Sequence, residues 1–262
     1  MSETSWEWDA TLFAGSAAYY ARGRTPYPTE IAAALADALA LDGTGRLLDV
    51  GCGPGTLTLM LADRFEQAVG VDADQDMIAE ASRSGARNVE WRCLRAEELP
   101  AGLGEFRLIT FAQSFHWMDR ARVAATARAM LTPDGACVHV HATTHRGIAG
   151  DVPYDEIDAL VRSFLGPVRR AGQSLLPNGT RGGENEFYRA AGFQGPQRLE
   201  FPGPDVVRDP DDIVAAVFST SSAAPHLFGE RVQEFAAALR ELLGDRVFHE
   251  RFVDVALDVW RP

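Results

Sequence analysis

Residues 46–55 read RLLDVGCGPG, and residues 56–65 continue with TLTLMLADRF. The first five residues predict a short, mostly apolar strand, the glycines predict a turn, and the last ten residues predict a helix. At Gly51, Gly53 and Gly55 the backbone can approach a ligand with no Cβ in the way. The helix that follows presents unpaired N–H groups at its first turn. This strand, turn and helix therefore predict a ligand-binding loop.

The spacing of the glycines separates two kinds of nucleoside site. The NAD fingerprint G-x-G-x-x-G requires its third glycine at position 56, where this chain has Thr56. Asp72 lies at the end of the next predicted strand after the glycines. An acid at that place can accept hydrogen bonds from both ribose hydroxyls. It indicates a nucleoside, but NAD proteins share this feature, so it does not identify which one.

The chain around this motif alternates strands and helices. Strands are predicted at 46–50, 68–71, 89–93, 106–111 and 136–141, with helices at 31–41, 56–65, 75–82 and 119–130 between or before them. This order is typical of right-handed βαβ units on a parallel sheet, and hence of an α/β fold. Residues 1–30 are expected to be irregular before about Thr29. After Thr143 the pattern weakens, with helices predicted at 154–165, 184–191, 209–218 and 229–243 and strands at 197–201 and 252–260. One sheet with an inserted helical lid fits this pattern better than two domains.

Composition excludes several classes of protein. The chain has 262 residues and a net charge of −12, so we expect neither a nucleic-acid nor a membrane partner. The first nine residues contain no basic side chain, which disfavours a signal peptide. Three widely spaced cysteines fit a reducing cytoplasm. All 25 basic residues are arginine, which excludes Schiff-base, pyridoxal-phosphate and P-loop chemistry, since each needs a lysine.

Taken together, these motifs resemble class I S-adenosylmethionine-dependent methyltransferases. The form D-x-G-x-G-x-G at 49–55 and Asp72 carry the resemblance to the superfamily. Residues 95–100, RAEELP, and 131–135, LTPDG, are similar to further motifs of small-molecule methyltransferases of the methyltransferase-11 type. Residues 113–119, QSFHWMD, and 20–28 are similar to the branch that contains trans-aconitate methyltransferase. The resemblance covers about residues 20–143.

The resemblance implies a Rossmann-like, seven-stranded, mostly parallel sheet with helices on both faces. It implies a single domain with an N-terminal cap (1–42), a cofactor-binding core (43–143), a substrate lid with insertions (144–246) and a final strand (247–262). S-adenosylmethionine is the implied cofactor. Gly51 and Gly53 would face its methionine part, Asp72 its ribose, Ala96 and Glu97 its adenine, and Gln113 its sulfonium. The full set of candidate cofactor-binding residues is Tyr20, Arg24, Asp49, Gly51, Gly53, Asp72, Ala73, Met77, Ala96, Glu97 and Gln113.

Histidines are the candidates for acid–base chemistry. Methyl transfer from a sulfonium mainly needs alignment of the two reacting atoms, and a base is needed only if the acceptor carries a proton. His116 follows the fourth strand, and His141 and His145 follow the fifth, at the edge where open α/β sheets bind ligands. These three are the catalytic candidates. His139 and His141 point to one face of their strand, but that strand should be central and covered by helices, so a metal site is not expected.

Substrate contacts are expected from the segment before the core, from the loop after the fourth strand and from the lid. Tyr27, His116, Trp117 and His226 are the candidate substrate-binding residues. Arg24 is expected in the cap over the cofactor. Its planar guanidinium could also bind a carboxylate through two parallel hydrogen bonds. A carboxylate acceptor would need such a clamp and no base, whereas a phenol, amine or carbon acceptor would favour a histidine.

The sequence therefore predicts a cytoplasmic enzyme, a monomer or homodimer, that methylates an O, N or C atom of a small molecule, in specialised metabolism. Two alternatives remain open. The chain could bind the same cofactor and catalyse a non-methyl reaction such as a cyclisation, or it could be a non-catalytic scaffold with a vestigial pocket.

Overall fold

The computed structural model describes residues 9–171, 174–175 and 182–262. Its main sheet has seven strands, numbered here in chain order: β1 Arg46–Val50, β2 Gln67–Asp72, β3 Val89–Cys93, β4 Phe106–Ala112, β5 Leu131–His141, β6 Gln194–Phe201 and β7 Val255–Arg261. They lie in the order β3-β2-β1-β4-β5-β7-β6. The first five are mutually parallel, and β7 runs antiparallel to both β5 and β6. The prediction of a seven-stranded, mostly parallel sheet is confirmed.

Nine α-helices are found in the described part of the chain. They are α1 Ala17–Gly23, α2 Glu30–Leu39, α3 Thr56–Leu61, α4 Gln75–Ser82, α5 Arg120–Ala129, α6 Tyr154–Leu165, α7 Glu184–Ala190, α8 Pro210–Phe218 and α9 Val232–Leu243. Several begin where the sequence supplies a cap. Asp74 accepts backbone N–H bonds at the start of α4, and Asp119 does so at the start of α5. Asp209 and Asp212 form a reciprocal capping box at α8.

Two apolar layers cover the sheet. Side chains of α2 and α3 pack on one face against β1, β5 and β7. On the other face α5 and α7 pack around Phe111, Phe115, Tyr188 and Trp260. Val138 and Val140 of β5 point to the first layer. Because strand side chains alternate, His139 and His141 point to the second, toward α7.

A third apolar cluster belongs to the segments above the sheet. It contains residues of α6, α8 and α9, with the rings of Phe218, Phe228 and Phe235 in mutual contact. A small antiparallel sheet of Ala149–Gly150, Asp205–Arg208 and Phe248–Arg251 joins it to the body. Within the segment expected to form the lid, α7 and β6 instead lie in the main body, on the sheet and at its edge.

Residues 17–23 form the helix α1, where an irregular segment was expected. The helix is short, and packing on α8 stabilises it. The Ser16 hydroxyl donates to the Phe218 carbonyl at 2.7 Å, and Gly23 lies directly against the backbone of Ala215. This packing connects residues that are far apart in the chain, so local propensity does not reveal it.

Candidate active site

The glycine loop after β1 lies at the carboxyl edge of the sheet. All three glycines adopt positive φ values, 71°, 55° and 86° at Gly51, Gly53 and Gly55. A Cβ at Gly51 would lie 2.4 Å from the Ser114 side chain, and one at Gly55 would lie 2.3 Å from the ring of Trp91. A Cβ at Gly53 would meet only Tyr20, at 3.9 Å. Close packing therefore requires glycine at the first and third positions, whereas Gly53 has open space around it, and Gly51 and Gly53 both border a cavity.

Asp72 closes one side of this first cavity. Its Oδ2 accepts the N–H of Gly53 at 2.8 Å, and its Oδ1 accepts the N–H of Asp74 at 2.9 Å. Each carboxylate oxygen keeps a further lone pair for a ligand. Burial raises the pKa of Asp72 to about 6, because the two N–H bonds only partly offset the lost hydration.

An apolar slot lies beside the Asp72 carboxylate. Met77, Leu94 and Ala96 line it, together with Ala73 and Glu97. Arg95 also lines the cavity. The buried carboxyl group of Glu97 accepts the backbone N–H of Asp119 at 2.8 Å, so it also holds the start of α5 in place. A carboxylate next to an apolar slot suits a nucleoside, whose ribose carries two donors and whose base is flat.

Asp49 lies beneath the loop and is only 1% exposed. Its carboxylate accepts the hydroxyls of Thr58 at 2.6 Å and Thr110 at 2.7 Å. Burial raises the pKa of Asp49, and these two hydroxyls lower it. The structure therefore places this residue where it links β1, α3 and β4, rather than on the cavity wall expected of a cofactor ligand.

A second cavity, of about 610 Å³, adjoins the first. Phe13, Tyr20, Gln113 and Trp117 line both cavities. Gln113 has a positive φ of 54°. Such a backbone is strained for a residue with a side chain. The Gln113 amide donates to the Tyr27 hydroxyl at 3.2 Å and to the Thr144 hydroxyl at 3.3 Å. This residue stands at the junction of the two spaces.

The second cavity collects most of the histidines. His116, His139, His141 and His145 line it, along with Arg24, Arg198, Glu184 and Asp254. The structure thus brings together the three predicted catalytic histidines and Trp117. Tyr27 lies beside the cavity through its bond to Gln113. His226 is placed elsewhere, lining a separate cavity with Leu165 and Val168, and its Nδ1 donates to the Ala14 carbonyl.

Arg24 lines the second cavity rather than the first. Its guanidinium stacks over Tyr20 at 4.6 Å and donates to the hydroxyl and carbonyl of Ser219 at 2.9 and 2.7 Å. Nη1 lies 3.4 Å from Nδ1 of His145. The guanidinium of Arg24 was expected to bind a carboxylate or to cap the cofactor. Much of its hydrogen-bonding capacity is instead used by acceptors within the protein.

Sequence reasoning missed two residues: Asp258, which contacts the cavity residue His141, and Arg198, which lines the second cavity. They lie side by side on β7 and β6, opposite His139 in the register. The one available signal was a carboxylate in an otherwise apolar strand, VALDVW at 255–260. Within the described residues, no group of three or more His, Cys, Asp or Glu side chains is placed to hold a metal ion. No described helix has the length and apolar composition needed to span a bilayer.

Comparison with known proteins agrees with this geometry. A family model described as "Methyltransferase domain" matches residues 47–135, which include the glycine loop and the Asp72 strand. The core of this chain is therefore similar to methyltransferase domains over these residues. Its fold and this domain match agree with the resemblance inferred from the glycine loop, while the likeness to the trans-aconitate branch stays a prediction.

Relatives of the domain include an uncharacterized methyltransferase of Mycobacterium tuberculosis, 34% identical over 48% of this chain and 51% of that protein. A malonyl-[acyl-carrier protein] O-methyltransferase of Geobacter sulfurreducens is 34% identical over 49% of this chain and 47% of its own length. The chain thus spans about half the length of these relatives. A solved structure of a candidate type II methyltransferase from Anaeromyxobacter dehalogenans covers 91% of this chain and 97% of its own, with 24% identity and a TM-score of 0.54. That likeness shows the fold.

Proposed function

We propose that this protein transfers a methyl group from S-adenosylmethionine to a small molecule held in the second cavity. The observation that carries the proposal is the pairing of a nucleoside-type cavity, built on Asp72 and Gly53, with a 610 Å³ cavity that shares four side chains with it. A volume of this size suits a small organic ligand.

The residues that would hold the cofactor are those that line the first cavity. Asp72 would accept the ribose hydroxyls, and Met77, Leu94 and Ala96 would contact the adenine. Gly53 leaves room at the loop for the methionine part. When bound, the cofactor would supply a methyl carbon activated by its sulfonium. Gln113 and Trp117, at the junction, would orient the acceptor toward that carbon, since alignment of reacting atoms supplies much of the catalysis in such a displacement.

The acceptor is proposed to be a small molecule rather than a nucleic acid. A net charge of −12 opposes binding to a phosphate backbone. Among the charged side chains of the second cavity, Arg24 and Arg198 already contact acceptors of the chain itself. Imidazoles and hydroxyl groups contribute to the polar character of the cavity, and Phe13 and Trp117 add an aromatic edge.

Calorimetric titration with S-adenosylhomocysteine tests the cofactor site. We expect micromolar binding that is lost in Asp72→Ala and strongly weakened in Asp72→Asn, which keeps the size of the side chain. Asp76→Ala removes an exposed acid on the neighbouring helix and serves as the matched control, with unchanged affinity. Circular dichroism would show that each variant is folded. Absence of binding to the folded wild-type protein would overturn the proposal.

A second experiment separates methyl transfer from other uses of the cofactor. The protein is incubated with S-adenosylmethionine and panels of phenols, carboxylic acids and amines, and release of S-adenosylhomocysteine is measured. Acceptor-dependent release supports methyl transfer. Binding of the cofactor with conversion of a substrate but no S-adenosylhomocysteine would indicate a non-methyl reaction, and binding with no conversion would indicate a scaffold.

A further inference from the structure

His141, on the wall of the second cavity, is paired with the buried carboxylate of Asp258. Nε2 of His141 lies 2.9 Å from Oδ2 of Asp258, which is only 1% exposed. Arg198 donates from Nη1 to both oxygens of the same carboxylate, at 3.2 and 3.4 Å. Because an ionised carboxylate only accepts hydrogen bonds, the hydrogen of the His141–Asp258 contact belongs to Nε2. The other ring nitrogen, Nδ1, then carries a lone pair.

His141 is free to use that lone pair. Within residues 9–171, 174–175 and 182–262 its ring makes no hydrogen bond besides the one to Asp258. Its side chain is 34% exposed, and it lines the cavity. An imidazole oriented through one nitrogen by a buried carboxylate, with the second nitrogen open to a ligand, is the arrangement of a general base.

The other three histidines of the cavity are poorer bases. Burial, followed by the neighbouring His141 and His116, lowers the pKa of His139 to about 3, and its Nδ1 is already bonded to the Tyr188 hydroxyl at 3.1 Å. Burial together with Arg24 and two further arginines lowers the pKa of His145 to about 3. Burial and Arg120 lower the pKa of His116 to about 4. None of these three contacts a carboxylate in the described structure.

The charged groups around the pair fit this role. Arg198, on β6, balances the charge of Asp258, and His139 lies beside His141 with ring centres 4.5 Å apart. Glu184 and Asp254 line the cavity from other segments, as do Arg24, His116 and His145. Arg24 is directed to Ser219 and to His145, away from the Asp258 pair. The positive charge that His141 gains on taking a proton would thus be stabilised mainly by Asp258.

We infer that His141, positioned by Asp258, is the general base of this enzyme, and that the acceptor therefore carries a proton at neutral pH, as the weakly acidic hydroxyl of a phenol or enol does. The inference rests on the proposed function and narrows it. A carboxylate acceptor, ionised at neutral pH, would have no use for such a base.

The proposed step is a displacement at the methyl carbon of the cofactor. A lone pair of the acceptor oxygen forms a bond to the methyl carbon while the bond from that carbon to sulfur breaks, and its electron pair stays on sulfur to give S-adenosylhomocysteine. The hydroxyl proton moves to Nδ1 of His141. The resulting imidazolium lies against the Asp258 carboxylate and releases its proton to water through the cavity.

Acceptors of graded acidity test the base directly. The probes are unsubstituted phenol, which ionises near about pH 10 as tyrosine does, and 4-nitrophenol, which is far more acidic. At pH 7 we expect His141→Gln to lower kcat on phenol about 100-fold or more, with KM nearly unchanged. The defect on 4-nitrophenol should be only a few-fold, because this probe ionises without help. Equal defects on both probes, or faster turnover of benzoate than of phenol, would overturn the inference.

Asp258 is a positioning residue, and its test needs a readout besides activity. In the complex with S-adenosylhomocysteine, ¹⁵N spectra of the imidazoles should show His141 protonated at Nε2. Asp258→Asn should remove this tautomer preference and lower kcat on phenol, and Asp258→Glu should restore part of both. His249→Gln, on an exposed strand, is the matched control and should change neither. A wild-type His141 protonated at Nδ1 would overturn the inference.

Failure of the inference is distinguishable from failure of the proposed function. Calorimetric binding of S-adenosylhomocysteine, together with methylation of benzoates but not phenols, would leave methyl transfer intact and remove the base. Binding with no turnover on either panel would count against the hydroxyl class. Absence of binding would remove the proposed function, and the base with it.

Discussion

Asp72 shows how a buried acid can couple ligand binding to pH. Its carboxylate is held by two backbone N–H groups in a cavity that otherwise disfavours charge, so burial raises its pKa to about 6. In the folded protein its ionisation therefore costs stability, and this cost appears as the pH rises from the unfolded value of about 4 through 6. Ribose hydroxyls would donate to the ionised form and offset that cost.

The affinity for S-adenosylhomocysteine should consequently rise with pH. Below pH 6 we expect it to increase by up to about tenfold per pH unit, because binding displaces one proton from Asp72, and above about pH 7 it should level off. Calorimetry in two buffers of different ionisation enthalpy would measure the proton release. Asp72→Asn should bind weakly and show no such rise. A wild-type affinity that is flat between pH 5 and 7 would contradict the ribose role of this carboxylate.

At the scale of elements, the N-terminal helix depends on one close approach. α1 crosses α8 at Gly23, where a Cβ would lie 2.4 Å from the Ala215 carbonyl carbon. The same helix places Tyr20 on the wall shared by the two cavities. The packing of α1 on α8 therefore also places Tyr20 at the junction of the two cavities.

Gly23→Ala should separate α1 from α8, since the atoms it would meet are backbone and cannot move aside. We expect a loss of about 1–3 kcal/mol in the free energy of unfolding, as for other overpacked contacts, and weaker binding of S-adenosylhomocysteine. Denaturant titration and calorimetry measure the two effects. Gly182→Ala, at a glycine with open space around it, is the matched control. Equal stability of the two variants would show that α1 is not held by this contact.

At the scale of the whole molecule, Arg208 joins parts that are distant in sequence. Its side chain, 6% exposed, pairs with Glu250 at 3.1 Å and donates to the carbonyls of Gly23 and Asp212 at 3.0 and 2.8 Å. Glu250 also accepts from the Tyr154 hydroxyl and from the N–H of Gly147. This buried group connects α1, the start of α6, α8 and the small sheet above the body.

Arg208→Met should be strongly destabilising because it leaves the Glu250 carboxylate buried without its cation. The expected loss is about 3–5 kcal/mol in urea unfolding. Arg231→Met breaks a pair whose side chains are 52% and 60% exposed. That variant should cost less than about 1 kcal/mol. Adding Glu250→Leu to Arg208→Met should recover part of the loss. Similar costs for the two single variants would show that burial of the Arg208 pair contributes little.

The sequence by itself determined the half of the molecule whose signals are local. The run from β1 through the glycine loop to α3, the acid at Asp72 and the alternation up to β5 all depend on neighbouring residues and on the two periodicities of strand and helix. These features predicted the sheet. Several residues that line the first cavity belong to these segments or come directly after them in the chain. Asp49 belongs to the same motif, but its role beneath the loop depends on Thr58 and Thr110, which only the fold brings to it.

Tertiary structure alone decided the second cavity. The partner of His141 is Asp258, 117 residues away, and the two meet because β7 enters the sheet antiparallel beside β5. Arg198 reaches the same carboxylate from β6, the next strand across. No spacing rule connects such residues, since strand order and register are set by burial of whole sheet faces rather than by local sequence. The glycine loop could therefore be predicted from the sequence, while the chemistry proposed for the acceptor required the folded chain.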